Sequence, residues 1–203
     1  MFTHETSEPL GTDGLLLSFR RPSAFSFRAG QHGLWVIGGT GRPFTIASAP
    51  QDGYLQLATR TSSGSAVKQR LARLVPGDRV GFVGPIGSLQ PPQDGAPVVL
   101  VTQGIGVTPA RSLLRQSDDR TRVLLHTGTP YFAAELSRLA DLAEFPQSRA
   151  EHADRLHALV PEHPGAHFLI SGSQVFVRST SGALLAAGVP KRQIRRDAFL
   201  GLS

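Results

Sequence analysis

The hydrophobic pattern of the chain changes at one proline-rich segment, and this change constrains the fold more than any other feature. Residues 88–97 contain three prolines and a glycine, so they suit neither a helix nor a strand. Before this segment, short apolar runs recur between Gly, Pro and Asp residues. After it, continuous apolar runs alternate with helical patterns. We therefore predict two domains, over residues 1–92 and 93–203.

The first half reads as β structure. Many short strands at a spacing of roughly 8–12 residues are typical of an antiparallel barrel or sandwich. One helix interrupts the strands over residues 65–74, where Val67, Leu71 and Leu74 fall on one face. The predicted strands of this half lie at residues 15–19, 33–37, 44–47, 54–58 and 79–83.

The second half reads as alternating strands and helices, which predicts a parallel sheet covered on both faces. The fold class is therefore two-domain: an antiparallel Greek-key β-barrel followed by an α/β domain with a parallel sheet. The least regular region is 145–164, with a short strand and a helix around 153–159. The other predicted strands are 97–102, 122–126, 166–170 and 193–199, and the helices are 110–116, 131–143 and 174–187.

Composition excludes several chemistries. The chain of 203 residues has no cysteine, which excludes disulfides, thiolate zinc sites, cysteine nucleophiles and cysteine-ligated iron–sulfur clusters; no metal site is predicted. The formal net charge of +6 favours anionic ligands or acidic partners, although compositional drift toward arginine would give the same total. The polar N-terminus, the short apolar runs and the lack of basic blocks predict a cytoplasmic protein that binds neither membrane nor nucleic acid.

Residues 42–48, Arg-Pro-Phe-Thr-Ile-Ala-Ser, combine a guanidinium, an aromatic ring and two hydroxyls within seven positions. A flavin dinucleotide presents groups that match them. The Arg42 fork suits a pyrophosphate, the Phe44 ring suits a stacked isoalloxazine, and the Thr45 hydroxyl can donate to or accept from a ring nitrogen. An amphipathic strand with one exposed arginine would also give this pattern. We call residues 42–48 the flavin motif.

A second motif, Gly104-Ile105-Gly106-Val107-Thr108-Pro109, lies between a buried strand and a helix. Glycines there let the backbone approach a pyrophosphate, the helix start supplies free amides, Thr108 is expected to cap the helix, and Pro109 suits its first turn. The third glycine and the acid of the usual dinucleotide fingerprint are missing, so a tight structural turn is the alternative. Gly64 and Ser65 open the earlier helix, as a second pyrophosphate anchor or as a plain cap.

Both halves together resemble the ferredoxin–NADP reductase superfamily, whose members join an FAD-binding barrel to a nicotinamide-nucleotide domain. The flavin motif is similar to the family's Arg-x-Tyr/Phe-Ser/Thr-x-x-Ser, and residues 104–109 are similar to its Gly-x-Gly-x-Thr-Pro. The resemblance implies that the FAD contacts are made by Arg42, Pro43, Phe44, Thr45, Thr59, Arg60, Gly64, Ser65, Ala66, Val67 and Phe199. It implies that the nicotinamide nucleotide is contacted by Thr102, Gly104, Gly106, Val107, Thr108, Pro109, Gly172 and Ser173.

The resemblance also implies catalytic positions. Thr45 would lie near flavin N5, Asp197 near the nicotinamide, and Ser171 where the family has a cysteine. Phe199 would cover the second flavin face and move aside for the nicotinamide. Two residues depart from the family pattern: Ser171 removes a thiol, and Val67 replaces a hydroxyl residue, so that only backbone contacts are expected there.

The expected function is an FAD-dependent oxidoreductase that passes a hydride from NADH or NADPH to flavin N5 and then electrons to an acceptor. Ferredoxin- or flavodoxin-type proteins, including an acidic partner, and small molecules stay open as acceptors. No arginine directly follows Thr127 and Thr129, which favours NADH. The alternatives are a flavin reductase that holds flavin loosely as a substrate, and a non-catalytic flavin- or nucleotide-binding subunit of a larger complex.

Overall fold

The computed structural model describes residues 1–62, 64–87, 89–116 and 119–199. Ser63, within the predicted helix-opening loop, and Ser88, at the start of the predicted linker, lie outside the described residues. A six-stranded antiparallel sheet precedes a five-stranded parallel sheet, which confirms the predicted fold class. The predicted boundary at residues 92 and 93 falls in the connection between the two sheets.

The first sheet has the strand order β4-β3-β6-β1-β2-β5. Its two end strands come together where the Ala47 amide donates to the Gln56 carbonyl at 2.8 Å, so the sheet curls into a barrel. The strands are β1 (Phe2–Leu10), β2 (Gly14–Arg20), β3 (His32–Ile37), β4 (Thr40–Thr45), β5 (Tyr54–Arg60) and β6 (Arg79–Ile86).

Aromatic rings fill the barrel. Trp35 is fully buried, with ring centroids 5.0 Å from Phe19 and 5.1 Å from Phe82. Helix α1 (Ala66–Leu71) adds Val67 and Leu71 to this core, as the helical spacing predicted, although the helix is shorter than expected. The helix is tied to the β3–β4 turn because the Arg70 guanidinium donates to the Gly38 carbonyl at 2.6 Å.

Sequence reasoning missed strand β1. Its segment is polar except at a few positions, and only Phe2 and His4 are buried in its first half, so no regular alternation marked it. Tertiary pairing decides its conformation: β1 runs antiparallel to β2 from Thr3 to Leu10, with a bulge near His4.

The second sheet has the order β9-β8-β7-β10-β11, and every pair in it is parallel. The first strand in sequence lies at the centre, with two later strands on each side, as in doubly wound dinucleotide-binding sheets. The elements are β7 (Val98–Gln103), α2 (Thr108–Arg115), β8 (Arg122–Thr127), α3 (Ala133–Leu139), β9 (Leu142–Glu144), α4 (Arg149–Glu162), β10 (His167–Ser173), α5 (Gln174–Ala186) and β11 (Ile194–Phe199).

Helices cover both faces of this sheet, as the apolar strands predicted. Val99 and Val101 of β7 pack in the cluster that contains residues of α4 and α5, whereas Val98 and Leu100 pack with residues of α2 and α3. Within the described residues, none of these helices is both long and apolar enough to cross a bilayer.

Two predicted boundaries in the second half were wrong. The helix expected over residues 131–143 ends at Leu139, and a short strand, β9, follows it. Leu142, expected to face inward on that helix, lies in β9 and is exposed. Conversely, the helix expected around 153–159 extends from Arg149 to Glu162, because Ser148 caps its first turn by accepting from the Glu151 amide at 3.1 Å.

Candidate functional site

The strand order of the α/β domain reverses between β7 and β10. Crevices at the carboxyl ends of strands beside such a switch point are the usual ligand sites of open α/β sheets. Two predicted motifs meet there: β7 leads into a 3-10 turn over Gly104–Val107, and β10 ends in Ser171, Gly172 and Ser173. We call residues 104–107 the dinucleotide turn.

The two glycines of the dinucleotide turn have different surroundings. At Gly104, φ is +52° and a Cβ atom would meet nothing within 4 Å, so this backbone is open to a ligand. At Gly106, a Cβ atom would lie 2.7 Å from Gly172 Cα and 2.8 Å from the Ser171 carbonyl oxygen. Gly106 is therefore required for packing against β10, and only Gly104 offers free space.

Helix α2 begins differently from the prediction. The dinucleotide turn runs directly into the helix, and Val107, which makes no side-chain capping bond, occupies the cap position. Thr108 is thus not the cap; its hydroxyl donates to the Ile105 carbonyl at 3.1 Å and braces the turn. Pro109 does occupy the first helical turn, as predicted.

The hydroxyls of Ser171 and Ser173 are engaged within the protein. Ser171 is buried, and its hydroxyl donates to the Gly106 carbonyl at 2.6 Å. Ser173 donates to Gln103 Oε1 at 2.7 Å and caps α5 by accepting from the Phe176 amide. Both serines therefore fix the end of β10 to the β7 side of the crevice, and the catalytic role of Ser171 stays a prediction.

Thr102, on β7 beside the crevice, is hydrogen-bonded to His126, a residue whose role sequence reasoning missed. His126, 1% exposed, lies at the end of β8 and makes hydrogen bonds to Thr102 Oγ1 and the Thr129 carbonyl, each at 2.8 Å. Because a carbonyl only accepts, Nε2 carries the proton and Nδ1 accepts from the Thr102 hydroxyl. Burial lowers the pKa of His126, so the neutral ring is favoured.

On the barrel side, the flavin motif occupies the end of β4 and the segment after it. Arg42 and Phe44 are half-buried, Pro43 is exposed, and Thr45 is buried opposite His32 of β3. Arg42 donates to the Gly41 carbonyl at 3.1 Å and forms no ion pair within the described part of the chain. Its charge is therefore available to an anionic ligand.

The second predicted flavin segment offers mainly backbone. Ser65 accepts from the Lys68 amide at 3.4 Å and so caps α1, while Val67 is buried in the barrel core. Gly64 has φ +64° with open space beside it, and Ala66 is exposed. The plain cap is thus what the structure shows for the Ser65 hydroxyl, and the anchoring role stays a prediction.

Thr59 and Arg60 end β5. The Thr59 side chain is 3% exposed, and its hydroxyl donates to the Arg60 carbonyl at 3.4 Å. Arg60 is exposed, and its positive charge helps to lower the pKa of Asp13 after the larger effect of the Tyr131 hydrogen bond. Arg60 is thus the more accessible of the two to a ligand.

Strand β11 brings the last predicted residues to the crevice. Asp197 lies beside Ser171 in the parallel register, and Phe199, half-buried, lies beside Ser173. Burial raises the pKa of the Asp197 carboxyl, and the charge of His32 partly offsets that effect. The sequence named Asp197 and Ser171 separately; the sheet makes them neighbours.

A pocket of about 390 Å³ joins the two domains at this point. His32 lines it from the barrel and Asp197 from the α/β domain. Sequence reasoning missed His32, because its position opposite Thr45 results from strand pairing, which no local pattern records. The remaining lining residues are Gly30, Gly87, Leu89, Ile194, Arg195 and Arg196.

Comparison with curated proteins gives partial sequence matches. The chain is 43% identical over 110 residues to ferredoxin–NADP reductase B of Sorangium cellulosum, which covers 50% of this chain and 45% of the relative. It is 31% identical over 93 residues to NADH-cytochrome b5 reductase 2 of Pyricularia oryzae, covering 43% and 28%. The matches thus span less than half the length of either relative, and no family model matches the sequence.

Solved structures match nearly the whole chain. A cytochrome P450 reductase from Amycolatopsis superposes with a TM-score of 0.83 at 23% identity, over 98% of this chain and 68% of that one. A ferredoxin NADP+ reductase from Neisseria gonorrhoeae superposes with a TM-score of 0.78 at 22% identity, over 97% and 98%. At these identities the superpositions show the fold alone, which this chain shares with the two solved reductases.

Proposed function

We propose that this chain is an FAD-dependent oxidoreductase that transfers a hydride from NADH or NADPH to flavin and passes the electrons to an acceptor. One observation supports this most directly. Asp197, which lies beside Ser171 in the sheet, and His32, which lies opposite Thr45, line one pocket between the two domains. The relatives named above are reductases of this kind, and the Neisseria structure contains FAD and NADP.

The residues present fit an FAD on the barrel side. Arg42 supplies an unpaired guanidinium within the described residues, half-buried, where a pyrophosphate would be held. Thr45, next to the pocket, would direct its hydroxyl to the ring edge, and Phe44 would lie along the flavin. Gly64 and Ala66 would contribute backbone amides.

The residues also fit a nicotinamide nucleotide on the other side. Gly104 offers open backbone at the start of a continuous helical segment, where free amides and the helix dipole favour phosphate. The segment Thr127–Tyr131, which follows β8, contains no Arg or Lys for a 2′-phosphate, and we propose NADH as the better donor on that ground.

Bound together, the two cofactors supply the hydride chemistry, and the protein supplies alignment and polarity. Thr45 orients the flavin edge through one hydroxyl. Asp197 holds the nicotinamide side of the pocket, while Ser171 keeps the dinucleotide turn against β10 through Gly106. Phe199, half-buried beside Ser173, would cover the remaining flavin face and would have to move aside for the nicotinamide. A ferredoxin-type, acidic acceptor suits the net charge of +6.

A flavin reductase is the second candidate. The observation in its favour is that the Ser65 hydroxyl caps α1 and the Val67 side chain is buried in the barrel core, so side-chain contacts to the far end of FAD would be few. Such a protein would lose flavin during purification and accept it again as a substrate.

The test is the visible spectrum of the purified protein, followed by anaerobic addition of NADH and NADPH. A yellow protein bleached by either nucleotide supports the first proposal, and NADH should bleach it at the lower concentration. A colourless protein that oxidises NADH only with added flavin supports the second. A protein that does neither contradicts both.

Arg42→Ala provides the matched variant for the flavin site. It should lose flavin on gel filtration, whereas Arg155→Ala, which removes an arginine paired with Glu144 and Glu162 on the far side of the α/β domain, should keep it. Full flavin retention by Arg42→Ala would remove the pyrophosphate assignment.

A further inference from the structure

Helix α2 carries polar side chains that reach out of the α/β domain to the barrel. Arg111 is 5% exposed and Ser112 is fully buried, which is unusual for residues of these types on a helix. Both lie in the middle of α2, within two turns of the dinucleotide turn. Their partners lie on the segment that ends the flavin motif.

Two of the three contacts are made to the backbone of that segment, and the third is made to a side chain of β5. Arg111 Nη1 donates to the Ala47 carbonyl at 2.9 Å and to Gln56 Oε1 at 2.8 Å. The Ser112 hydroxyl donates to the Ser48 carbonyl at 2.6 Å. Because two of the three acceptors, the Ala47 and Ser48 carbonyls, are main-chain atoms, these contacts fix the path of the chain at the end of the flavin motif.

The charge of Arg111 is compensated on its own domain. Its Nε donates to Glu135 Oε2 at 2.8 Å, and its guanidinium lies 4.5 Å from the centre of the Phe132 ring. Burial would raise the pKa of Glu135, but the hydrogen bonds and charges of Arg111 and Arg115 outweigh it and lower the pKa. Phe132 has φ +60°, a costly conformation for a non-glycine residue.

The buried guanidinium of Arg111 has its charge compensated and donates to two acceptors on the barrel, the Ala47 carbonyl and Gln56 Oε1, which indicates a fixed geometry. Ala47 lies two residues after Thr45, and Arg111 lies five residues after Gly106. The hydrogen bond from Arg111 to the Ala47 carbonyl therefore links two segments that lie close in sequence to the proposed flavin contact and to the dinucleotide turn. Hydride transfer needs reacting atoms about 3–3.5 Å apart, and a displacement of about 1 Å can cost roughly 100-fold in rate.

We propose that Arg111 and Ser112 are positioning residues that hold the flavin motif at the distance from the dinucleotide turn that hydride transfer requires. This inference rests on the proposed function. Neither residue touches the cofactors in it; both act through the Ala47 and Ser48 carbonyls.

The test compares Ser112→Ala and Arg111→Lys with Arg155→Lys, whose ion pairs stay within the α/β domain. In anaerobic stopped-flow experiments, the limiting rate of flavin reduction at saturating nucleotide should fall at least tenfold in the first two variants. The apparent Kd for nucleotide should change less than threefold. The long-wavelength charge-transfer absorbance should weaken in parallel, which a general loss of stability would not cause.

A second readout does not depend on activity. The chain has no cysteine, so Val83→Cys and Ala153→Cys, both exposed, can carry spin labels on the two domains without further changes. The interdomain distance distribution should broaden or shift in Ser112→Ala and Arg111→Lys and stay unchanged in Arg155→Lys.

The outcomes separate the two proposals. If the parent protein is not reduced by either nucleotide, the proposed function fails, whatever the spin-label distances show. If the parent is reduced and folded Ser112→Ala and Arg111→Lys keep its limiting rate, the positioning role is overturned. Unchanged interdomain distances in both variants would overturn it as well.

Discussion

Single polar residues in the predicted site mostly hold the fold itself. The hydroxyls of Thr102, Ser171 and Ser173 each have a partner inside the α/β domain, and Ser65 caps its own helix. A short polar motif in a sequence reports residue types, and these types serve a turn or a cap as readily as a ligand. Gly104, which has open space beside its backbone, and Arg42, which forms no ion pair among the described residues, are the stronger ligand candidates.

His126 makes stability depend on pH. The pKa of His126 is lowered in the folded protein from its ordinary value of 6.5, which applies to the unfolded state. The folded state therefore binds fewer protons than the unfolded state near that pH. The stabilisation is complete above that value and is lost as the pH falls below it toward the folded pKa. We expect the urea midpoint to decrease from pH 7 toward pH 5, and this decrease to be smaller in His126→Gln.

The control for that experiment is His157→Gln, because His157 is exposed on α4. It should follow the parent curve. Equal slopes for the parent and His126→Gln would show that the buried histidine does not carry the effect.

Asp197 is expected to lower the thermal stability of the protein while it contributes to flavin reduction. Burial raises the pKa of Asp197 in the folded protein. Above this folded-state pKa the carboxylate is ionised and lowers the free energy of unfolding, whereas at lower pH the protonated form does not. Asp197→Asn should therefore raise the thermal midpoint of the flavin-free protein at pH 7. It should also slow flavin reduction roughly tenfold, about 1.4 kcal/mol of transition-state stabilisation. A variant that is faster than the parent would contradict the role.

Among the elements, the dinucleotide turn contains two glycines with different structural roles. The turn and α2 form one helical segment, and the Gly106–Gly172 backbone contact holds that segment on β10. The same contact explains why a small residue follows Ser171. The sequence pattern Gly-x-Gly assigns both glycines to the ligand, whereas the structure leaves open space beside Gly104 and packs Gly106 against the sheet.

Two substitutions separate these uses. Gly106→Ala should lower the free energy of unfolding by about 1–3 kcal/mol, because its methyl group would overlap the β10 backbone. Gly104→Ala should cost about 1 kcal/mol for its positive φ but weaken nucleotide binding more, because its methyl group would enter open space at the crevice. Urea unfolding and nucleotide titration of both variants measure this. Equal effects on stability and affinity would refute the division.

At the scale of the whole molecule, polar contacts join the two domains at several points. Besides Arg111 and Ser112, Arg115 pairs with Asp52 at 2.9 Å, and the Tyr131 hydroxyl donates to the Asp13 carboxylate. On the barrel, these contacts are made by residues that precede the flavin motif, belong to it and follow it in the sequence. The relative placement of the two domains is thus specified by hydrogen-bond geometry as well as by apolar packing.

Tyr131 provides a test of this boundary. Burial and the hydrogen bond to Asp13 raise its pKa from 10.0 to about 12. The folded state thus keeps a proton that the unfolded state loses, so its contribution is complete below pH 10 and is lost as the pH rises toward 12. Tyr131→Phe should lower the free energy of unfolding by about 1 kcal/mol at pH 8. It should also make the fall in the free energy of unfolding above pH 10 smaller than in the parent protein. Guanidinium unfolding at pH 8, 10 and 11 measures both.

Much of this molecule followed from the sequence. Short apolar runs between turn residues before residues 88–97 predicted the antiparallel sheet, and continuous apolar runs that alternate with helical patterns after them predicted the parallel sheet. The flavin motif and residues 104–109 were found because their chemistry lies within a few consecutive positions. Strand β1 and the bounds of α3, β9 and α4 were missed or wrong, because pairing with distant strands and local capping decide them.

The sequence by itself determined which residues can bind phosphate, stack on a ring or start a helix, because those properties belong to single side chains and short segments. Only the tertiary structure decided which of these groups are free. It committed Ser171 to Gly106 and Thr102 to His126, and it left Arg42 without an ion pair among the described residues. It also brought His32 beside Asp197 and Arg111 to Ala47. The physical reason is that hydrogen bonds and burial depend on contacts between residues far apart in the chain, which no local pattern records.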